Sequence, residues 1–412
     1  MSTLGIIVEY NPMHNGHVHH IKKSKEATGA SQVVAVMSGP FLQRGEPAIV
    51  NKFARAEMAL EMGVDLVIEL PVSYAVQPAE WFAYGAVALL EATGVVDSLC
   101  FGSESGTLEL LRPIAASVAN ESEELKELLG SRLEQGLSYP TAYSQAVHAL
   151  LQHNAGCSPE ELAQLLQQPN NTLGLHYLIA LQRLGSSITP YTIARESAGY
   201  HDPSPSHSAI ASATAIRRMI LKQELDAAAP YVPEAVLAIL QREFSSDRGP
   251  VTWESFRQPL FHQLFTHTAA ELAQIQEVNE GLEHRIISSL QQLTQPDVEL
   301  LLGNLKTKRY THTKLQRMLT HILLNHSKES MSRQSLQSGP GYLRVLGFSP
   351  QGQQLLKQMK KKASLPLVVK PSALDHPQLQ LDIRASAVYA NAYASPVKQE
   401  LFQDYLFPPI RL

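Results

Sequence analysis

The 412-residue chain carries 34 Lys and Arg against 38 Asp and Glu, a formal charge of −4, and 44% of its residues are hydrophobic. That length and composition predict a soluble globular protein of two or three domains, and no apolar run approaches the ~20 residues of a membrane helix. Two cysteines, Cys100 and Cys157, exclude a disulfide framework and a cysteine-built zinc site. No basic residue precedes the first short apolar run, so a secretory signal is not expected and a cytoplasmic protein with no membrane partner is.

Leu4 to Val8 is apolar and rich in β-branched residues, the pattern of a buried strand. Glu9, Tyr10, Asn11 and Pro12 break it, because proline cannot continue a ladder. Gly16 then allows close backbone approach, and a helix runs from about Gly16 to Thr28. Its N-terminus offers free N–H groups and the positive end of a dipole, an anion site to which His14 and His17, three residues apart, can add donors.

Gln32–Met37, Asp65–Leu70 and Ser98–Phe101 read as further strands, separated by helices over Lys52–Met62 and Ala79–Ala92. Strands and helices alternating at this spacing predict right-handed βαβ units, a parallel sheet and a Rossmann-like α/β domain. Ligands in such sheets lie beyond the carboxyl ends of the strands at the switch point. The loops holding His14, His17 and Gly102 are therefore expected to share one pocket.

Leucines at helical intervals from Leu108 to about Gln168, Leu162 among them, predict a helical insertion (about 107–168). Asn170 or Asn171 is expected to cap a helix over Thr172–Leu184. Ser187–Arg195 reads as a last strand, with Pro190 suggesting an edge, and runs into Gly199–Pro203. In Ile210–Arg217, Ser212 is a good N-cap. Ser212, Thr214 and the helix N–H groups could grip a pyrophosphate, with Arg217 or Arg218 adding charge-assisted bonds.

Beyond Lys222 the pattern is mainly helical, past a linker marked by Pro230 and Pro233, with a strand at Tyr342–Phe348. Residues 1–225 are thus expected to form a nucleotide-binding domain and 226–412 a mainly helical, basic C-terminal domain. Leu301–Lys370 holds nine Lys and four Arg against Glu329 alone, a local charge of +12 that leaves −16 on the rest. Such asymmetry points to a polyanion partner. Lys306, Lys308, Arg309, Lys314 and Arg317 surround Tyr310, so phosphate contacts and a stacking ring for an unpaired RNA base are expected there.

His14-Asn15-Gly16-His17 directly after a strand resembles the HxGH signature of the nucleotidylyltransferase superfamily, and Ser212-x-Thr214-x-x-Arg217 resembles its second motif. GIIVEYNPMHNGH (Gly5–His17), Gly63–Pro71, Phe101–Glu104, Pro169–Asn171 and Lys306–Thr311 together resemble one bacterial family, the tRNA(Met) cytidine acetate ligases, whereas the usual pattern of the wider HxGH superfamily has Asp where this chain has Asn11. The resemblance covers nearly the whole chain. It implies an enzyme that uses ATP and acetate to form acetyl-adenylate and acetylates the wobble cytidine, in the anticodon of elongator tRNA(Met). It further implies an ATP pocket made by Ile7, Val8, Glu9, Tyr10, Asn11, Pro12, Met13, His14, Asn15, Gly16, His17, Val18, His19 and His20, with Gly102, Asn170 and Arg195. The same resemblance gives His14, His17, Ser212, Thr214 and Arg217 the catalytic roles. Magnesium carried on the phosphates is expected, although no carboxylate cage for a metal is visible in the sequence. Lys22 and Lys52 are weaker phosphate candidates, more in keeping with surface charges. Two other readings compete: an adenylyltransferase acting on a small phosphorylated metabolite, and a non-catalytic RNA-binding protein.

Overall fold

The computed structural model describes residues 2–119, 122–137, 139–151, 164–195 and 210–412. Leu162, Cys157 and the stretch Gly199–Pro203 lie outside the described residues.

Eight strands form one sheet: β1 (Thr3–Val8), β2 (Gln32–Ser38), β3 (Leu66–Leu70), β4 (Ser98–Ser103), β5 (Thr189–Ala194), β6 (Leu343–Phe348), β7 (Leu367–Val368) and β8 (Ile410–Arg411). Their order is β5-β4-β1-β2-β3-β6-β7, with β8 also paired to β6. β1 to β5 are mutually parallel, as the βαβ spacing predicts. β5 is the edge strand that Pro190 suggested. From β1 the chain winds outward to β2 and β3 on one side and to β4 and β5 on the other. The switch point, where adjacent crossovers leave a crevice, therefore lies at the carboxyl ends of β1 and β4.

Strand alternation divides the core. Val34 and Val36 of β2 face one layer with the helices Ala79–Ala92 and Pro169–Arg183. Val33, Ala35 and Met37 face the other, with the helices Asn15–Thr28 (α1) and Lys52–Glu61 (α2) and with Ile216 and Ile220. Both faces of β2 are covered, so every residue of Gln32–Ser38 is buried, which accounts for the near-continuous apolar run in its sequence.

The helix before β5 begins one turn earlier than the sequence suggests. Its N-cap is Gln168 and its first residue Pro169, which gives up no hydrogen bond at that position. The role expected of Asn170 or Asn171 falls instead to Glu104, whose carboxylate accepts from both backbone N–H groups at 3.1 and 2.7 Å.

Beyond residue 226 the helices build their own apolar layer around Phe256, Leu260, Leu302, Leu315, Leu319 and Tyr389, and Phe41 and Val72 from the loops after β2 and β3 enter it. The strand expected at Tyr342–Phe348 is β6, antiparallel beside β3. The polypeptide thus returns to extend the first sheet. Among these helices, the short Ala269–Leu272 is closed by a Thr268/Glu271 capping box.

Candidate active site

β1 delivers the loop from Glu9 to His14 to the switch point. His14 is the N-cap of α1 and His17 its third residue, and the two form a capping box made of imidazoles. His14 Nδ1 accepts from the Gly16 N–H at 3.1 Å, and His17 Nδ1 accepts from the His14 N–H at 3.3 Å. With both Nδ1 atoms accepting, each neutral ring carries its proton on Nε2. The rings stack with centroids 3.8 Å apart, and the Tyr10 ring meets His17 edge-on at 5.0 Å. Gly16 is needed here, because a Cβ on it would stand 2.9 Å from the His14 ring.

Burial holds the His14 imidazole down at about 4, and the charge of Arg195 adds to the effect. His20 is held at about 4 by burial and then by Arg195, and His17 lies well below its ordinary value through burial and the neighbouring His14. Three neutral imidazoles beside one exposed guanidinium make a site rich in donors. That arrangement suits a polyanion.

The resemblance's other pocket residues arrive from β4 and β5. Gly102 stands one strand across, where a Cβ would lie 3.1 Å from Arg195 Cγ and 3.8 Å from the His20 ring. Arg195 follows β5, and its Nη1 donates to Asn170 Oδ1 at 2.9 Å, while Asn170 Nδ2 donates to Glu104 at 2.6 Å. His14, His17, His20, Gly102, Asn170 and Arg195 therefore share one crevice. Within the loop itself Pro12 and Met13 are buried, and Asn15, Val18 and His19 are half-buried on α1. Ile7 and Val8 close the end of β1, while Asn11 uses its side-chain oxygen to accept from the Ile49 N–H at 2.8 Å.

Ser212 caps the helix Ala213–Leu221, accepting from the Ala215 N–H at 3.2 Å, with Thr214 exposed in its first turn. Two contacts bring this helix to the histidines. Ile210 lies 3.5 Å from where a Gly16 Cβ would be, and Arg217 Nη1 donates to the Asn11 carbonyl at 2.9 Å. Arg217 Nη2 pairs with Glu46 at 3.1 Å. The two motifs, some 200 residues apart in the chain, thus border one loop.

Three residues escaped the sequence reading. Glu104 and Glu46 orient Asn170 and Arg217 as just described. Arg55, fully buried in α2, donates to the carbonyls of Glu9 (2.7 Å), Ser38 (3.1 Å), Gly39 and Val50 (3.3 Å). It ties the loops after β1 and β2 together, yet an arginine inside an amphipathic helix pattern gives no hint of that. Lys52 requires a correction. It is no surface charge but sits 1% exposed, its ammonium 2.7 Å from both Glu69 and Asp404. Burial works against that charge, and the two carboxylates raise its pKa in spite of it.

The basic stretch also divides. Lys306, Lys308 and Arg309 are exposed, Arg309 lying 2.9 Å from Glu280, and Lys314 is half-buried with its ammonium 5.3 Å over the Tyr310 ring. Tyr310 and Arg317 are buried rather than at the surface expected of RNA contacts. Tyr310 is packed in the helical layer with its hydroxyl donating to the Glu280 carbonyl at 3.0 Å, and Arg317 is buried against Glu277 at 2.7 Å. The helical period places Arg317 on the buried face of the helix His312–Leu323, and Tyr310 packs inward from the bend before that helix, which proximity in sequence does not reveal.

Among the described residues no three His, Cys, Asp or Glu side chains gather as a metal site, and no helix is long and apolar enough to cross a membrane.

A profile of the family described as HIGH Nucleotidyl Transferase matches residues 1–404. The tRNA(Met) cytidine acetate ligase of Bacillus velezensis is 43% identical, over 100% of this chain and 97% of that protein. The ligase of the same name from Halothermothrix orenii is 39% identical, over 100% of both chains. The solved structure of Thermotoga maritima TmcAL bound with alpha-thio ATP superposes with a TM-score of 0.91 at 35% identity, covering 100% of each chain.

Proposed function

The chain belongs to the HIGH nucleotidyl transferase family, and from that membership and its full-length likeness to the acetate ligases we infer that it is an ATP-dependent tRNA(Met) cytidine acetate ligase. The observation that carries the site assignment is the Arg217–Asn11 contact, which sets the hydroxyl–arginine cluster against the loop bearing both histidines. A triphosphate lying across that loop meets donors from both ends.

In the first step acetate attacks the α-phosphorus of ATP, the bond to the bridging oxygen breaks, and acetyl-adenylate and pyrophosphate form. Negative charge builds on the phosphoryl oxygens and on the leaving group. His14 and His17, neutral and protonated at Nε2, donate to that charge without having to shed a proton first. Ser212, Thr214 and Arg217 hold the pyrophosphate, and Arg195, oriented by Asn170 and Glu104, neutralises the triphosphate. Gly102 leaves room for base and ribose. Since the described residues present no carboxylate cluster, a magnesium ion would be held by the phosphates and water, supplying charge neutralisation. In the second step the exocyclic amine of the wobble cytidine of elongator tRNA(Met) attacks the acetyl carbon. The acyl–phosphate bond breaks, AMP departs and the amine loses a proton. Lys306, Lys308, Arg309 and Lys314 contact the RNA backbone. On this reading residues 1–225 form the nucleotide half, 226–412 the RNA half, and the place of action is the cytoplasm.

Incubation with labelled acetate, ATP and unmodified tRNA tests the whole. Label on tRNA that requires ATP is the expected result. ATP–pyrophosphate exchange with no label on RNA would instead indicate an adenylyltransferase of small metabolites, and RNA binding with neither reaction a non-catalytic protein.

A further inference from the structure

The turn between Phe41 and Pro47 is held from two sides. Phe41 and Pro47 close it by an antiparallel bridge, and the Leu42 N–H donates to the Glu46 carbonyl at 2.9 Å. On the nucleotide side, the Gln43 N–H donates to the Glu9 carboxylate at 2.7 Å, and Glu46 holds Arg217. On the other side lies the helix His312–Leu323, whose Thr320 hydroxyl donates to the Gly45 carbonyl at 2.7 Å. Gly45, at φ +82°, lies so flat on that helix that a Cβ would stand 2.3 Å from the Arg317 nitrogen.

Arg44 sits between these two anchorages. It is exposed, and its guanidinium has no hydrogen-bond or ion-pair partner among the described residues. Neither nearby acid forms an ion pair with it. Glu46 is engaged by Arg217, and Glu9, held above the usual carboxylate range by burial, is hydrogen-bonded by Gln43 and Ser38 and feels the Arg44 charge only at a distance, without an ion pair. Arg317, against which the turn packs, lies five residues after His312, about 8 Å along the helix axis. The exposed Lys306, Lys308 and Arg309 come just before that helix. The turn thus presents an exposed cation between the loop that bears the histidines and the helix that follows the basic stretch.

We propose that Arg44 contacts a phosphate of the tRNA backbone beside the nucleotide entering the active site, and so positions the cytidine for acyl transfer. The inference rests on the ligase reading above. The triphosphate is the lesser candidate, since six other donors already face it, His14, His17, Arg195, Ser212, Thr214 and Arg217, while Arg44 is exposed.

The test uses the full-length enzyme with Arg44→Ala, Arg44→Lys and Arg44→Glu, and unmodified tRNA. Three quantities are measured: acetate-dependent ATP–pyrophosphate exchange without RNA, tRNA affinity across a salt series, and ATP-dependent labelling of tRNA. For Arg44→Ala we expect tRNA binding to weaken about five- to tenfold and the slope of log affinity against log salt to shrink by about one. Exchange, which needs no RNA and reports an intact fold, falls by no more than about twofold. Arg44→Lys restores the salt slope, and Arg44→Glu weakens binding further. Unchanged affinity and slope in Arg44→Ala overturn the proposal, as does a tenfold loss of exchange with tRNA binding retained, which places the guanidinium on the triphosphate. Wild-type enzyme that exchanges pyrophosphate but never labels tRNA overturns the ligase reading itself, whatever Arg44 does.

Discussion

His14 and His17 serve the backbone with one ring nitrogen and face the crevice with the other. The capping box uses up Nδ1 on both, so the tautomer that donates through Nε2 is built into the helix start rather than selected by a ligand. Replacing His17 by Ala should therefore remove acetate-dependent ATP–pyrophosphate exchange by at least a hundredfold while leaving tRNA affinity nearly unaltered. Exchange at wild-type rates would take His17 out of the mechanism. Titration gives a second expectation. His14 and His20 at about 4, and the buried His176 at about 4 and His321 at about 3, bind protons in the folded state only far below the 6.5 of the unfolded chain. The unfolded chain then holds more protons between about pH 6.5 and 4, so stability falls as pH falls through that window. The cost is on the order of 1–2 kcal/mol for each such group by pH 5. Thermal midpoints followed from pH 7.5 to 5 should decline accordingly, and a flat profile would contradict the burial argument.

At the scale of elements, the turn Phe41–Pro47 links two cores that each strand–helix pattern alone would leave separate. Its contact with the helix His312–Leu323 depends on Gly45, which combines a left-handed φ with backbone-to-backbone approach. Gly45→Ala brings both the strain of that conformation and a collision with a helix that cannot yield. It should destabilise the protein by about 2 kcal/mol or more, read from urea unfolding, and a loss under about 0.5 kcal/mol would mean the turn is free to move. Secondary structure near the site was largely legible. The β-branched run at Leu4–Val8, the break at Pro12 and the cap at Ser212 all correspond to the folded elements, because local propensity and capping act within a few residues. The helix starts at Pro169 rather than Thr172 because the N–H groups of Asn170 and Asn171 are satisfied by Glu104, some 65 residues earlier, and no local rule reaches that far.

Across the whole molecule, the sheet is completed from the far end of the chain. Glu69 of β3, Lys52 of α2, Arg344 of β6 and Asp404 near the C-terminus meet in one buried charge network. Lys52→Met leaves Glu69 buried without its cation and Asp404 with Arg344 alone, and should cost about 3–5 kcal/mol of unfolding free energy in denaturant titration. A cost below about 1 kcal/mol would show that the carboxylates are simply protonated in compensation. What the sequence by itself determined are the local signals: the parallel βαβ order, the HxGH loop after its strand, the second motif on a capped helix, and the concentration of positive charge in Leu301–Lys370. Each depends on spacing along the chain, which the eye can follow. What only the tertiary structure decided is which polar groups face inward and who partners them. Lys52, Tyr310 and Arg317 are buried, Arg55 binds carbonyls, Glu46 and Glu104 orient Arg217 and Asn170, and Arg44 is left exposed on the turn Phe41–Pro47. A charge's environment is set by residues brought close through folding, and Coulomb and desolvation energies depend on that distance in space rather than on distance in sequence.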